Sequence, residues 1–149
     1  MDLILWRHAE AEDGFPDSAR NLTKKGIDQA RRMADWLRSE LPDDAVMIVS
    51  PAQRTQQTAQ ALRNDFITKD EIGPGASARN ILEAADWPDA SGTVIVVGHQ
   101  PTLGEVVKEL IPVIPAGLRM KKGSVWWIRC QGKDHAEPVL HVVKYPDRV

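Results

Sequence analysis

Three short stretches of the chain carry side chains able to hold an anion and react with it: Arg7-His8, Arg54 shortly after Ser50-Pro51, and Gly98-His99-Gln100. A guanidinium is always ionised and presents a planar donor fork matched to phosphate or carboxylate oxygens. A neutral imidazole, with an ordinary pKa of ~6.5, is a competent nucleophile near neutral pH. Taken singly, a strand-end arginine is usually a surface ion pair and a histidine after a strand is usually structural. What sets these apart is the sequence before them. Each stretch follows an unbroken apolar run, at residues 2–6, 45–49 and 93–97. Such runs read as strands buried on both faces of a parallel sheet. Ligands of open parallel sheets sit beyond the carboxyl ends of the strands, so Arg7, His8, Arg54 and His99 are expected to converge on one anionic ligand.

The elements between these strands have helical signatures. Thr23 can cap a helix with apolar positions Ile27, Ala30, Ala34, Leu37 and Leu41, and Pro42 lies just past its end. Ser50 as cap and Pro51 as first helical residue predict a second helix running to about Asn64, with Arg54 in its first turn near the positive end of the dipole. Residues 65–76 are broken by Gly73-Pro74-Gly75, leaving room for a short edge strand at Phe66-Ile67. Ser77 can cap a short helix holding Ile81, Leu82 and Ala85. Thr102 and Glu105 have capping-box spacing ahead of a helix stopped by Pro112 and Pro115. Strands are expected at residues 124–130 and 139–145, joined through Gln131-Gly132-Lys133-Asp134. The whole predicts an α/β chain, a three-layer helix–sheet–helix sandwich with a mostly parallel mixed sheet, folded as one domain over residues 1–149.

Arg7-His8-Ala9, Ser50-Pro51 with Arg54, and Gly98-His99, in this order, resemble the histidine phosphatase superfamily with its phosphoglycerate-mutase-like fold. The short length and the Arg-His-Ala-Glu-Ala opening are most similar to the SixA-type phosphohistidine phosphatases. Leu22-Thr23-Lys-Lys-Gly26 and Gln57-Thr58-Ala59 extend the likeness, which runs to about Leu110. The resemblance implies catalytic residues His8, as phosphorylated nucleophile, and His99. It implies phosphate-binding residues Arg7 and Arg54, with the N–H of Gln100 helping to hold the oxygens that carry developing charge. From the residues alone the two histidines are interchangeable. The resemblance also places Arg20 where SixA-like sequences often carry arginine, as a further candidate beside a plain surface role. In larger relatives a glutamate of the middle segment protonates the leaving oxygen. Glu71 and Glu83 are the nearest candidates, and neither sits in a convincing version of that motif. The acid-phosphatase branch has His-Asp where this chain has His99-Gln100.

Composition narrows the classes. A chain of 149 residues can bury a core without staples, and its net charge of −2 gives no global attraction to nucleic acid. Cys130 is the only cysteine, so an internal disulfide is impossible; it is expected packed in a strand, in a cytoplasmic protein. No stretch approaches the ~20 apolar residues of a membrane span. The expected partner is a phosphorylated protein or a small phosphorylated substrate, with no nucleic acid, no membrane and no cofactor, bound by a monomer. No metal is expected, because neither histidine has His-x-x-x-His or Cys-x-x-Cys spacing. The first strand is not followed by Gly-x-Gly-x-x-Gly, which excludes the dinucleotide-binding fingerprint. A noncatalytic phosphate- or phosphoprotein-binding module remains the rival from another class, and intact His8 and His99 argue against it. His135 and His141 read as strand or surface residues, and Trp126-Trp127 as packing residues. Arg119, Lys121 and Lys122 form a basic cluster, either a solvated turn or a meeting point for an acidic partner.

Overall fold

The first apolar run forms β1 (Asp2–Arg7) in the interior of a six-stranded sheet. The computed structural model describes residues 1–115, 117–131 and 137–149. The other strands are β2 (Val46–Val49), β3 (Ile67–Thr68), β4 (Thr93–Gly98), β5 (Val125–Arg129) and β6 (Val139–Lys144), in the order β3-β2-β4-β1-β5-β6. Strands β1, β2, β3 and β4 pair in parallel; β5 runs antiparallel to β1, and β6 to β5. The sheet is thus mostly parallel and mixed, as expected. The link predicted at Gln131-Gly132-Lys133-Asp134 lies largely outside the described residues.

Helices α1 (Lys24–Glu40) and α2 (Gln53–Gln60) cover one face, and α3 (Ala78–Ala84) and α4 (Thr102–Leu110) the other. Alternation along β1 makes this explicit. Leu3 and Leu5 pack with Ile81, Leu103 and Val106, whereas Ile4 and Trp6 pack with Met33, Leu37 and Ala59. Both faces being covered, Leu3, Ile4, Leu5 and Trp6 are all buried, which is why the strand reads as continuous rather than alternating. Trp126 and Trp127 divide between the two faces in the same way and are buried.

Several local expectations are corrected. In α1 the buried stripe is Gly26, Ala30, Met33, Ala34 and Leu37, while Ile27 is 48% exposed. The stripe is set by Gly26, whose added Cβ would lie 1.9 Å from the Glu10 carbonyl oxygen, so the start of α1 rests directly on the backbone after β1. Thr23 does cap this helix, accepting from Gly26 N–H at 2.9 Å. Helix α2 begins later and ends earlier than predicted: its N-cap is Ala52, with no side-chain bond, and its last residue is Gln60. The carbonyls of Ala61 and Leu62 beyond it accept instead from Arg38 Nη2, both at 3.1 Å. The capping box at Thr102 and Glu105 does not form. Pro101 holds the cap position, Thr102 Oγ1 donates to Ala76 O at 2.8 Å, and Gln100 Oε1 accepts from Gly104 N–H at 2.6 Å. Ser77 caps α3 as expected, in a reciprocal pair with Asn80. Strand β5 ends at Arg129, so Cys130 follows the strand rather than lying within it.

Candidate active site

The register of the sheet brings the three stretches together. Arg7 lies opposite Gly98 in the β1–β4 ladder, and Val49 opposite Val97 in the β2–β4 ladder. His8 N–H then donates to Gly98 O and Ser50 N–H to Val97 O, at 3.0 and 3.1 Å, continuing both ladders one step past the strands. His8, Ser50 and His99 therefore leave three adjacent strands at one level. The imidazole rings of His8 and His99 lie 5.4 Å apart, centroid to centroid.

The His8 tautomer is held by a backbone carbonyl and that of His99 by the Ser50 hydroxyl. His8 Nδ1–H donates to Ala9 O at 2.7 Å, which leaves Nε2 as the nitrogen with the lone pair. The Ala9 N–H in turn donates to Thr58 Oγ1 at 3.1 Å, and that hydroxyl donates to Arg54 O at 2.8 Å, tying the turn after β1 to the helix that carries Arg54. Ser50 Oγ, which accepts from Ala52 N–H at 3.4 Å, lies 2.7 Å from His99 Nε2, and we assign the serine proton to that contact. His99 then carries its own proton on Nδ1, where it is a donor. Burial pushes His8 down to about 4, against the hydrogen bond to Ala9 and with Arg54, Arg7 and Arg20 adding to the shift. Burial, then Arg54 and His8, push His99 down to about 3. Both rings are neutral at pH 7, the form that a nucleophile and a neutral donor require.

The cations occupy two sides. Arg7 Nη1 donates to Met120 O at 2.9 Å, leaving Nε buried and without a partner among the described residues. Arg54 is 5% exposed. Its Nη1 donates to Asp17 O at 3.0 Å and its Nη2 to Asp17 Oδ2 at 3.1 Å. Arg20 donates to the other oxygen of the same carboxylate at 3.1 Å and to Glu12 O at 2.7 Å, so it belongs to this group rather than to open surface. Arg20, with Arg54, holds Asp17 below the usual carboxylate range. Arg54 Nε and His99 Nδ1 join Arg7 Nε as buried donors lacking a partner among the described residues. Trp6 Nε1, Ser124 Oγ and Trp126 Nε1 share that condition, so it is not peculiar to the site; the donors of Arg7, Arg54 and His99 belong to the residues expected to hold an oxyanion, which would satisfy them.

Gln100 has a different side-chain duty from that of a ligand, since its Oε1 caps α4; its backbone N–H makes no hydrogen bond among the described residues and is available to an anion. Glu71 is exposed in a short 3-10 turn, Asp70–Ile72, and makes no hydrogen bond or ion pair among the described residues. Sequence reasoning missed Asp17 and misassigned Ser50, read as a helix cap. The signal for Ser50 was its position one residue past a buried strand, the same position that His8 and His99 hold.

Residues 3–72 match the family model of the histidine phosphatase superfamily, branch 1. The chain is 31% identical over 126 residues to a phosphohistidine phosphatase SixA homolog of Haemophilus influenzae, covering 74% of this chain and 77% of that protein. It is 29% identical over 127 residues to the phosphohistidine phosphatase SixA of Escherichia coli, covering 75% of each. Among solved structures, one assigned to a phosphohistidine phosphatase SixA of Nakamurella multipartitia superposes with a TM-score of 0.84 at 29% identity, covering 97% of this chain and 95% of that one.

Proposed function

The chain belongs to the histidine phosphatase superfamily, among its SixA-type phosphatases, and from that premise we propose that it removes phosphoryl groups from phosphohistidine on a protein, in two steps and without a metal. In the first step His8 Nε2 attacks phosphorus, the bond from phosphorus to the substrate nitrogen breaks, and the imidazole leaves with the electron pair and takes up a proton. In the second, water attacks the phosphohistidine, the P–Nε2 bond breaks, inorganic phosphate departs and His8 is restored. Arg7 and Arg54 neutralise the nonbridging oxygens throughout, and His99 Nδ1–H with the Gln100 N–H donates to those that gain charge. The guanidiniums supply the charge that a divalent ion would otherwise provide, so activity is expected to survive chelation.

The observation carrying this reading is the His8 Nδ1–H···O=C bond to Ala9, because it fixes the lone pair on Nε2 of a ring kept neutral by burial. A noncatalytic phosphate-binding module has no use for that arrangement. Rapid acid-free quenching of turnover is expected to trap a phosphoenzyme labile to acid. His8→Ala should abolish both the intermediate and turnover while melting as a folded protein. Substantial turnover by folded His8→Ala would overturn the assignment.

A further inference from the structure

Arg7 lines two clefts: one of ≈ 590 Å³ that also carries Glu10, Asp28 and Asp147, and one of ≈ 450 Å³ between α4 and the segment leading into β5. Gln100 shares that wall, so the cleft opens next to where a phosphoryl group would sit. The segment is anchored from both sides: Arg7 Nη1 donates to Met120 O at 2.9 Å, and the Tyr145 hydroxyl donates to Arg119 O at 2.7 Å. Lys121 Nζ lies 4.9 Å from the centre of the Tyr145 ring, which steadies its long side chain.

The lining chemistry is one-sided. Lys108, Arg119 and Lys121 stand exposed at the rim, no Asp or Glu lines the cleft, and none of the three makes an ion pair among the described residues. Exposed arginines elsewhere are of both kinds: Arg32 and Arg38 are matched by carboxylates within a turn, whereas Arg31 and Arg148 make no ion pair among the described residues, so it is the grouping of three such cations on one cleft that sets the rim apart. On a chain of net charge −2, an unmatched cationic rim is a local departure from the overall balance. Below it the floor is apolar, made of Val107, Leu118 and Met120. Such a cleft favours a ligand with several carboxylates around an apolar side chain, and a rim of this kind acts by steering and by charge complementarity.

We propose that this cleft binds an acidic stretch of the protein substrate that lies beside its phosphorylated residue. Carboxylates of the stretch meet Lys108, Arg119 and Lys121, and an apolar side chain rests on Val107, Leu118 and Met120. The identity of the ligand as part of the substrate rests on the phosphoprotein reading above; the preference for an acidic chain rests on the cleft alone.

The test separates the two. Fluorescence anisotropy would follow two labelled, unphosphorylated peptides of equal length, one built from Glu, Asp and Leu and the other with Lys in place of the acids. The acidic peptide should bind wild type and not its basic counterpart, and should weaken as salt is raised. In Lys108→Glu/Arg119→Glu its affinity should fall roughly tenfold or more, the combined size of several partly exposed ion pairs. Turnover of an aryl phosphate, which does not reach the cleft, should stay within about a factor of two, while kcat/KM for a phosphohistidine protein drops through KM. Equal binding of the two peptides, an unaffected double variant, or displacement by a single-stranded oligonucleotide as effective as the acidic peptide would overturn the cleft proposal. Acidic-peptide binding without turnover of any phosphorylated substrate would instead uphold the cleft and remove the phosphatase reading.

Discussion

Asp17 holds Arg54 through two bonds, its backbone carbonyl accepting from Nη1 at 3.0 Å and its carboxylate from Nη2 at 3.1 Å. The carboxylate is more than half exposed, whereas the guanidinium it touches is almost fully buried. A phosphoryl group entering the site must therefore share Arg54 and Arg20 with an anion already on them. Asp17→Asn keeps the carbonyl bond and removes the charge. Affinity for inorganic phosphate or vanadate is expected to rise roughly 3- to 10-fold, the size of a partly exposed charge interaction. Titration calorimetry on both proteins decides it: weaker binding by the variant would mean that the carboxylate aligns the guanidiniums more than it competes for them.

Ser50 meets His99 Nε2 and the Ala52 N–H through Oγ. Its hydroxyl selects the tautomer that leaves the proton on Nδ1, so Ser50→Ala should let the proton move to Nε2 and remove the donor from the site. The expected loss is roughly tenfold or more in kcat toward an aryl phosphate, with a modest fall in melting temperature from the unpaired ring nitrogen. Imidazole 15N shifts would report the tautomer directly. An unchanged rate together with an unchanged tautomer would remove Ser50 from the mechanism.

The two histidines also set a pH dependence of stability. Both are held below their unfolded value of 6.5, so in the unfolded chain they take up protons that the folded protein refuses. Their contribution is fully present above about 6.5 and is lost as the pH falls through the folded values, about 4 for His8 and about 3 for His99. Integrated over that window His8 is worth roughly 3 kcal/mol and His99 roughly 5 kcal/mol. Denaturant unfolding between pH 7 and 4.5 should show stability falling toward acid, with a shallower slope in His8→Asn. Activity toward an aryl phosphate should fall only on approaching pH 4, as His8 protonates. A rate that drops already at pH 6.5 would show that His8 titrates like an exposed imidazole.

The strands and the convergence of their ends were legible because both faces of the sheet are covered, which writes each central strand as an apolar run too long and too pure to misread. The helix starts were less legible. Ser50 and Thr102 have good capping chemistry in the sequence, yet tertiary partners take both side chains: His99 engages Ser50, and Ala76 O engages Thr102. A local rule competes poorly with a buried polar group that must be satisfied. Ile27 was misplaced for a similar reason, since the face of α1 is chosen by what Gly26 must touch and not by apolar spacing alone. Asp17 was invisible, because nothing in a turn-forming loop says which distant arginine its carboxylate will meet.

Gly26 tests the mechanical side of that argument. An alanine there would place its Cβ 1.9 Å from Glu10 O, and the obstacle is backbone rather than the flexible end of a side chain. Helix α1 must then move away from the turn that carries His8, Ala9 and Glu10. Gly26→Ala is expected to cost about 3 kcal/mol or more, at the upper end of overpacking effects, and to lower kcat in the protein that still folds. Chemical denaturation with a parallel rate measurement checks this; a variant as stable and active as wild type would mean that the turn after β1 is softer than its contacts imply.

A serine or sugar alkoxide leaves slowly unless it is protonated on departure, so an enzyme acting on alkyl phosphates needs a carboxyl or imidazole that carries a proton at the right place. The described residues supply none near His8 that fits. Asp17 is held below the usual carboxylate range by Arg20 and Arg54, both imidazoles are neutral with the His8 proton bonded to Ala9 O, and Glu71 stands exposed without a partner among the described residues. Imidazole leaving from phosphohistidine has no such need, because solvent can protonate it or it can already carry its proton. kcat/KM is therefore expected to fall in the order phosphohistidine, aryl phosphate, alkyl phosphate, and Glu71→Gln should leave the first within about a factor of two. The comparison is made with purified protein at one pH, above the range in which phosphohistidine decomposes. If an alkyl phosphate is turned over faster than a phosphohistidine protein, and Glu71→Gln abolishes that activity, then Glu71 is the missing acid and the substrate is a small phosphomonoester.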